Sequence, residues 1–393
     1  MRKLFCSSAS MVAALVWFGT GGVPATACAA TTELVILQSG PGLSARTQNL
    51  LNQLNHVAAS PISGIVLDIP ATYQTTLAGE RLDYGTVFNR WIQPLVGTLP
   101  KLANSYLRIN LRDAGDPFST SWAPVLDNWA IAARAAKAAG MRGIFFDNEA
   151  YQEPQTFEFP GTGTNAGLGL AAYQEKFRQR GADVMNAVQA EWANVEIVSL
   201  HGPYVSEAST PQSIRLDQVG AEPTDMRGYF FAGMLAAKGA AARVTDGGEL
   251  YQYRSQADYD ASVQWRRYAM PQVPGSTVVP ADLRDSWADK ITLSFGLFDQ
   301  QWRPNGAYPM NPALLEEALF QAFMHADSPV WLYAEDHDYL TAGGVGQEWT
   351  DAIRSAQSRA SIAQQVPEPQ TWASMAAGLA LLGAAVRRRT RPL

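Results

Sequence analysis

Short β-branched or aromatic runs recur along this chain, each followed by a loop and then by a stretch of helical period. Eight of them read as strands: Glu33–Leu37, Gly64–Ile69, Tyr106–Leu111, Gly143–Asn148, Val195–Leu200, Ala242–Asp246, Ile291–Phe298 and Val330–Ala334. Helical stretches alternate with them at Ala123–Ala139, Leu168–Trp192, Ile214–Lys238, Gln256–Met270, Pro312–Ala326 and Gln347–Gln364. The first is Ala-rich, stops at Gly140 and hands over after three residues to Ile144-Phe145-Phe146, which is how a helix feeds a buried strand. The strand runs are almost continuously apolar rather than alternating, so both of their faces are expected to be buried, as in a parallel sheet.

Eight βα repeats in this length predict an α/β fold, a (β/α)8 TIM barrel forming a single domain over residues 30–365. An open doubly wound sheet is the alternative. Against it, the first strand is not followed by a Gly-rich phosphate loop, and the sequence has neither Gly-x-Gly-x-x-Gly nor Gly-Lys-Ser/Thr. No internal repeat or low-complexity linker interrupts the chain before Gln364.

The two ends depart from this pattern. Arg2 and Lys3 precede an apolar stretch from Met11 to Phe18 and small residues around Ala25-Thr26-Ala27-Cys28-Ala29-Ala30. That is the layout of a secretory signal peptide over residues 1–29, with cleavage after Ala27 or Ala29 by signal peptidase. Ala25 in place of leucine argues against a lipoprotein reading through Cys28. Both cysteines, Cys6 and Cys28, lie in this segment, so the mature protein is expected to have no disulfide and no thiolate site. At the other end Val366-Pro367-Glu368-Pro369 precedes an apolar run from Trp372 to Val386 and then Arg387-Arg388-Arg389. The run is shorter than the ~20 residues a permanent spanning helix needs, and the arginines favour the cytoplasmic side.

This tail, residues 366–393, resembles the PEP-CTERM sorting tails of Gram-negative bacteria, in which an exosortase recognises and cleaves the segment. The resemblance implies a protein exported to the periplasm, outer surface or extracellular matrix and transiently anchored in the inner membrane. It further implies association with extracellular polysaccharide. The tail is an address and carries no information on the chemistry upstream. Removing both ends leaves about 335 residues, ample for one core. The net charge is −6, with the terminal arginines counted, so the body is more acidic still and offers no basic stripe for nucleic acid.

In a barrel the active site forms at the carboxyl ends of the strands. Acids and a histidine collect there: Asp68 after the second strand, Asp147-Asn148-Glu149 after the fourth and His201 after the fifth. The sixth runs into Asp246-Gly247-Gly248-Glu249-Leu250-Tyr251, the seventh reaches Asp299 with Trp302 beyond, and the eighth reads Trp331-Leu332-Tyr333-Ala334-Glu335-Asp336-His337-Asp338. Asp68 and Asp299, taken singly, also suit helix caps. Asp147 and Glu149 stand two apart in an extended chain, so both side chains face the barrel mouth. A close carboxylate pair drives its two proton affinities apart, which is the equipment for cleaving a glycosidic bond. A buried polar network tying down the loop is the competing account of the same residues.

Arg142-Gly143-Ile144-Phe145-Phe146-Asp147-Asn148-Glu149 resembles the fourth-strand signature of family-18 glycoside hydrolases, Asp-Gly-x-Asp-x-Asp-x-Glu. Gly143, Asp147 and Glu149 match, whereas Arg142 and Phe145 stand where that family has aspartates. The resemblance implies that Glu149 is the general acid and that Asp147 orients the substrate. Asn148-Glu149 is also similar to the fourth-strand acid of the retaining barrel glycosidases, but their seventh-strand nucleophilic glutamate has no counterpart here. Glu249, whose preceding glycines free the backbone to bend inward, is expected as the second carboxylate, with Glu335 in reserve.

Pyranose rings stack on aromatic faces, which makes Tyr151, Tyr251, Trp302, Trp331 and Tyr333 candidate sugar contacts, with Asp68 and His201 as polar ones. For each aromatic taken alone, core packing is the simpler account. Glu335-Asp336-His337-Asp338 offers oxygen-rich metal ligands, but the chain lacks a calcium loop, a His-Glu-x-x-His helix and a Gly-x-Ser-x-Gly elbow. The expectation is therefore a cofactor-free, metal-free glycoside hydrolase acting on a polysaccharide or oligosaccharide. The competing expectation is a silent barrel that binds exopolysaccharide or serves as a surface structural protein, favoured by Phe145.

Overall fold

The computed structural model describes residues 31–39, 45–70, 81–111, 114, 116–120, 122–149, 157, 159, 166–203, 225–249, 251, 253, 255–272, 279–300 and 310–365. The expected signal segment and sorting tail lie outside these residues, as do Tyr151 and Trp302. Among the described residues no helix is long and apolar enough to cross a membrane.

The strands are β1 (Leu34–Gln38), β2 (Gly64–Leu67), β3 (Tyr106–Asn110), β4 (Gly143–Asp147), β5 (Glu196–Ser199), β6 (Arg243–Asp246), β7 (Thr292–Leu293), β8 (Gly296–Phe298) and β9 (Val330–Ala334). They pair in the order β7-β6-β5-β4-β3-β2-β1-β9-β8, parallel at every junction. The result is a parallel sheet curled on itself with helices outside, an α/β fold consistent with a TIM-like barrel. Strands β7 and β8 are two pieces of the one run expected at Ile291–Phe298. The first piece pairs with β6 and the second with β9. Ser294 and Gly296 donate to the carbonyls of Asp246 and Gly248 at 2.8 and 3.1 Å, while Trp331 donates to Phe295 at 3.1 Å. The run thus changes partner mid-way, and that exchange breaks the regular ladder.

Continuous apolarity in the strands has the expected consequence, two cores on opposite faces. Ile36, Ile65, Leu107, Ile109, Ile144, Phe146 and Leu332 pack outward against the helices. Val35, Leu37, Val66, Tyr106, Phe145, Val198, Leu200, Phe298 and Trp331 fill the interior. In β4 the inward set is therefore Phe145 followed by Asp147, which leaves Glu149 next in line at the mouth.

The helices follow from local signals. Trp122–Ala138 ends at Gly140, whose φ of 68° is the left-handed value a non-glycine residue resists, and Met141 donates back to Ala136 at 3.0 Å. Ser255 and Asp258 form a reciprocal capping box on helix Gln256–Val263, and Asn311 caps Pro312–His325. Helix Gln256–Val263 continues as a π-helical turn, Gln264–Ala269, rather than running unbroken to Met270. That turn carries Arg266 inward, where it meets Asp246 at 2.7 Å and donates to the Asp246 and Ser294 carbonyls at 2.7 and 3.0 Å. Neither side chain is exposed.

Candidate functional site

The carboxyl ends of β4, β5 and β6 bring three groups together. Glu149 lies two residues past β4, His201 two past β5 and Glu249 three past β6. His201 Nε2 stands 2.9 Å from Glu249 Oε2 and 3.4 Å from Glu149 Oε1. One carboxylate oxygen of each glutamate and the histidine nitrogen all lie within 4.8 Å of one another, so this is also the set of described residues placed to hold a metal ion. The Tyr251 hydroxyl donates to Glu249 Oε1. The 2.9 Å contact at Oε2 is off the line of a hydrogen bond, and that buried oxygen has no aligned donor among the described residues.

Each member is positioned from its backbone. Asn148, buried behind the mouth, accepts from His201 N–H at 2.9 Å and donates to the His201 carbonyl at 3.0 Å. Asn110, at the end of β3, donates to the Glu149 carbonyl at 3.0 Å. The turn to Glu249 uses Gly248 at φ 63°, where a Cβ would stand 2.6 Å from the Ser294 carbonyl oxygen. Only glycine suits both the conformation and the space.

Charge is compensated across the site. Burial alone would hold the His201 imidazolium down. The Glu249 charge, together with the hydrogen bond to Glu149, outweighs it and raises His201 to about 9. Burial likewise opposes Arg227, but Asp225 at 2.6 Å, with Glu149 and Glu249 beyond, raises it.

Asp147 sits below the mouth with its carboxylate already engaged. Arg108 reaches Oδ2 through Nε at 3.1 Å and Nη2 at 2.5 Å, and Glu149 N–H donates to Oδ1 at 3.2 Å. Burial raises its proton affinity, opposed by Arg108 and reinforced by Glu149. Asp68, 9% exposed, is raised by burial too, against Arg108 and Arg46. Both acids belong to a buried charge network around Arg108. The carboxylate expected to orient substrate is thus already engaged by a guanidinium.

The aromatic candidates separate by depth. Tyr333 is half-buried at the rim, stacked on Phe298 at 5.1 Å and on Tyr251 at 6.3 Å. Trp331 is 1% exposed, meets Phe145 edge-on at 5.4 Å and donates its indole N–H to the Gly247 carbonyl at 2.8 Å. It is interior packing, with no face left for a sugar. Glu335 is exposed and outside the three-residue cluster, and its backbone N–H donates to Asp299 at 3.1 Å. Asp299, raised by burial, also accepts from the His337 ring at 3.2 Å. The loop Glu335–Asp338 is thereby fastened to the end of β8.

Arg108, Asn110 and Arg227 escaped the sequence reading. Arg108 was visible in principle, as a cation at an inward position of the apolar strand Tyr-Leu-Arg-Ile-Asn. Nothing in the sequence linked Arg227 to β4 or β6.

Residues 365–389 match the PEP-CTERM protein-sorting motif. The chain carries a PEP-CTERM tail. A tail of this class implies export, transient anchoring in the membrane and processing by an exosortase. A comparison with curated proteins finds no match. Among solved structures, the chain is similar to one described as chitinase A from Streptomyces coelicolor, at 12% identity and a TM-score of 0.38, covering 83% of this chain and 98% of that one. It is similar to a β-mannanase from the blue mussel Mytilus edulis at 10% identity and a TM-score of 0.38, covering 80% and 84%. A sugar phosphate isomerase/epimerase from Parabacteroides distasonis follows at 11% and 0.34, covering 85% and 99%. At these scores the likenesses carry nothing over to this chain.

Proposed function

We propose that this exported protein is a closed single-domain (β/α)8 barrel that hydrolyses glycosidic bonds of a polysaccharide or oligosaccharide outside the cytoplasm. The observation that carries the reading is the convergence of Glu149 and Glu249 at the mouth, with one oxygen of each within 4.8 Å. That approaches the ~5–5.5 Å separation of carboxylates in retaining glycosidases and falls short of the wider gap that inverting enzymes need for water.

The roles divide by environment. Glu149 is the more exposed, with 24% of its side chain accessible against 10% for Glu249, and its histidine contact is the longer one. It is the carboxyl a leaving-group oxygen reaches, and it acts as proton donor. Glu249, faced by the Tyr251 hydroxyl and the His201 ring, is the nucleophile, held in place by donors that leave its second oxygen unengaged. Tyr333 supplies the rim on which a sugar stacks, and Asp68 and His201 flank it. Asp147 acts through the Glu149 backbone.

A silent, sugar-binding barrel is the second reading, and one observation favours it. Phe145 fills the family-18 aspartate position and is locked against Trp331, so the substrate-assisted chemistry of that family lacks a member. The two readings part on a single experiment. The protein is screened on a glycan panel by reducing-end release and by binding, with Glu149→Gln beside it. Turnover abolished by the variant supports hydrolysis. Binding without turnover in the unaltered protein supports the silent barrel and overturns the catalytic roles.

A further inference from the structure

We propose that Glu149, His201 and Glu249 form a site for a divalent transition-metal ion, one whose occupancy excludes the acid–base chemistry proposed above. A tetrahedral centre with bonds of ~2.1 Å wants donors roughly 3.4 Å apart. His201 Nε2 already stands 2.9 and 3.4 Å from the two carboxylates, so only the edge between the carboxylates, within 4.8 Å, has to contract.

A second observation is independent of that spacing. Glu249 is nine-tenths buried, and its Oε2 faces this centre with no aligned donor among the described residues. A buried carboxylate oxygen needs a partner, and a cation at the centre is one.

The outer contacts are those a metal site uses to hold its ligands. Asn148 fixes His201 by both backbone groups, Tyr251 holds the far oxygen of Glu249, and Asn110 holds the Glu149 backbone. One imidazole and two carboxylates suit zinc, manganese or ferrous iron better than calcium or a thiophilic ion, and three protein ligands leave a coordination position open. The ion would take the same carboxylate oxygens that proton donation and nucleophilic attack require, so it acts on hydrolysis as an inhibitor. Only that consequence rests on the hydrolytic reading, since the ligand set stands without it.

The probe is Zn2+ alone. The full chain, with Cys6→Ser and Cys28→Ser to remove thiol ligands, is stripped with chelator in detergent and titrated by calorimetry and equilibrium dialysis. One equivalent should bind at micromolar concentration or tighter. Glu249→Gln and His201→Asn, shown folded by circular dichroism, should each weaken binding at least ~10²-fold. Asp336→Asn, in the exposed loop after β9, should bind as the parent does. Absence of binding below millimolar Zn2+ overturns the site. So does binding lost in Asp336→Asn but kept in Glu249→Gln and His201→Asn. Because no substrate is used, failure here is separate from failure of the hydrolytic reading.

Discussion

Asn148 grips His201 by both backbone groups with one amide, accepting from its N–H at 2.9 Å and donating to its carbonyl at 3.0 Å. The pair ties the exit of β4 to the exit of β5 and sets where the imidazole meets the two glutamates. Asn148→Ala leaves the His201 N–H buried without its partner, the carbonyl keeping the Ser199 hydroxyl at 2.8 Å, and should cost about 1–3 kcal/mol in denaturant unfolding. Asn148→Asp keeps the acceptor but sets a carboxylate against the His201 carbonyl, and should be no better tolerated. A wild-type midpoint for both variants would mean that the grip contributes nothing.

Glu149→Gln removes a transferable proton while keeping shape and most hydrogen bonding. On substrates with poor leaving groups, turnover should fall at least ~10²-fold. An activated aryl glycoside needs little proton donation and should lose much less. Equal loss on both substrates in a folded variant would mean that Glu149 is not the acid.

His201 gives stability a definite pH dependence. Its folded value, about 9, lies above the ordinary 6.5, so the native state holds this proton more tightly than the unfolded chain. The stabilisation is complete below about 6.5 and is lost as pH rises through about 9. The melting-temperature gap between the wild type and His201→Asn should therefore be widest near pH 6 and shrink steadily towards pH 10. A gap that stays constant or widens over that range would contradict the assignment.

The Arg266–Asp246 pair has both side chains fully buried and joins the end of β6 to the segment between β7 and β8. Arg266→Met strands a buried carboxylate and should cost about 3–5 kcal/mol, read from the denaturant midpoint. Replacing both partners by apolar residues should restore part of that loss.

The tail motif predicts processing. Intact-mass analysis of protein recovered from its native host should find a species that begins near Ala30 and lacks residues 366–393. A mature form ending at Leu393 would mean that the motif is not cleaved.

Much of the scaffold was legible in the sequence because its determinants are local. An apolar run buried on both faces has to be an interior parallel strand, and the eight expected runs coincide with the described strands to within a residue or two. Gly140 ended its helix where only a left-handed residue could, and Gly247-Gly248 marked the bend that carries Glu249 to the mouth. Period-two geometry put Asp147 and Glu149 on the interior side of β4, and the tail announced itself through composition and order alone. The divided seventh run and the π-turn under Arg266 were not legible, since each depends on a partner distant in sequence, and most of the first half of the helix expected at Ile214–Lys238 lies outside the described residues.

Tertiary structure alone decided which charged groups meet. Asp147 and Glu149 are equivalent by spacing, yet Arg108, 39 residues away, engages one and leaves the other open. Trp331 and Tyr333 are equivalent by type, but the depth of each inside the curled sheet makes one interior packing and the other rim. His201 looked like one polar residue among several until β4, β5 and β6 set it between two glutamates. Burial and the mutual placement of charges depend on the packing of segments distant in sequence, and no local pattern encodes them.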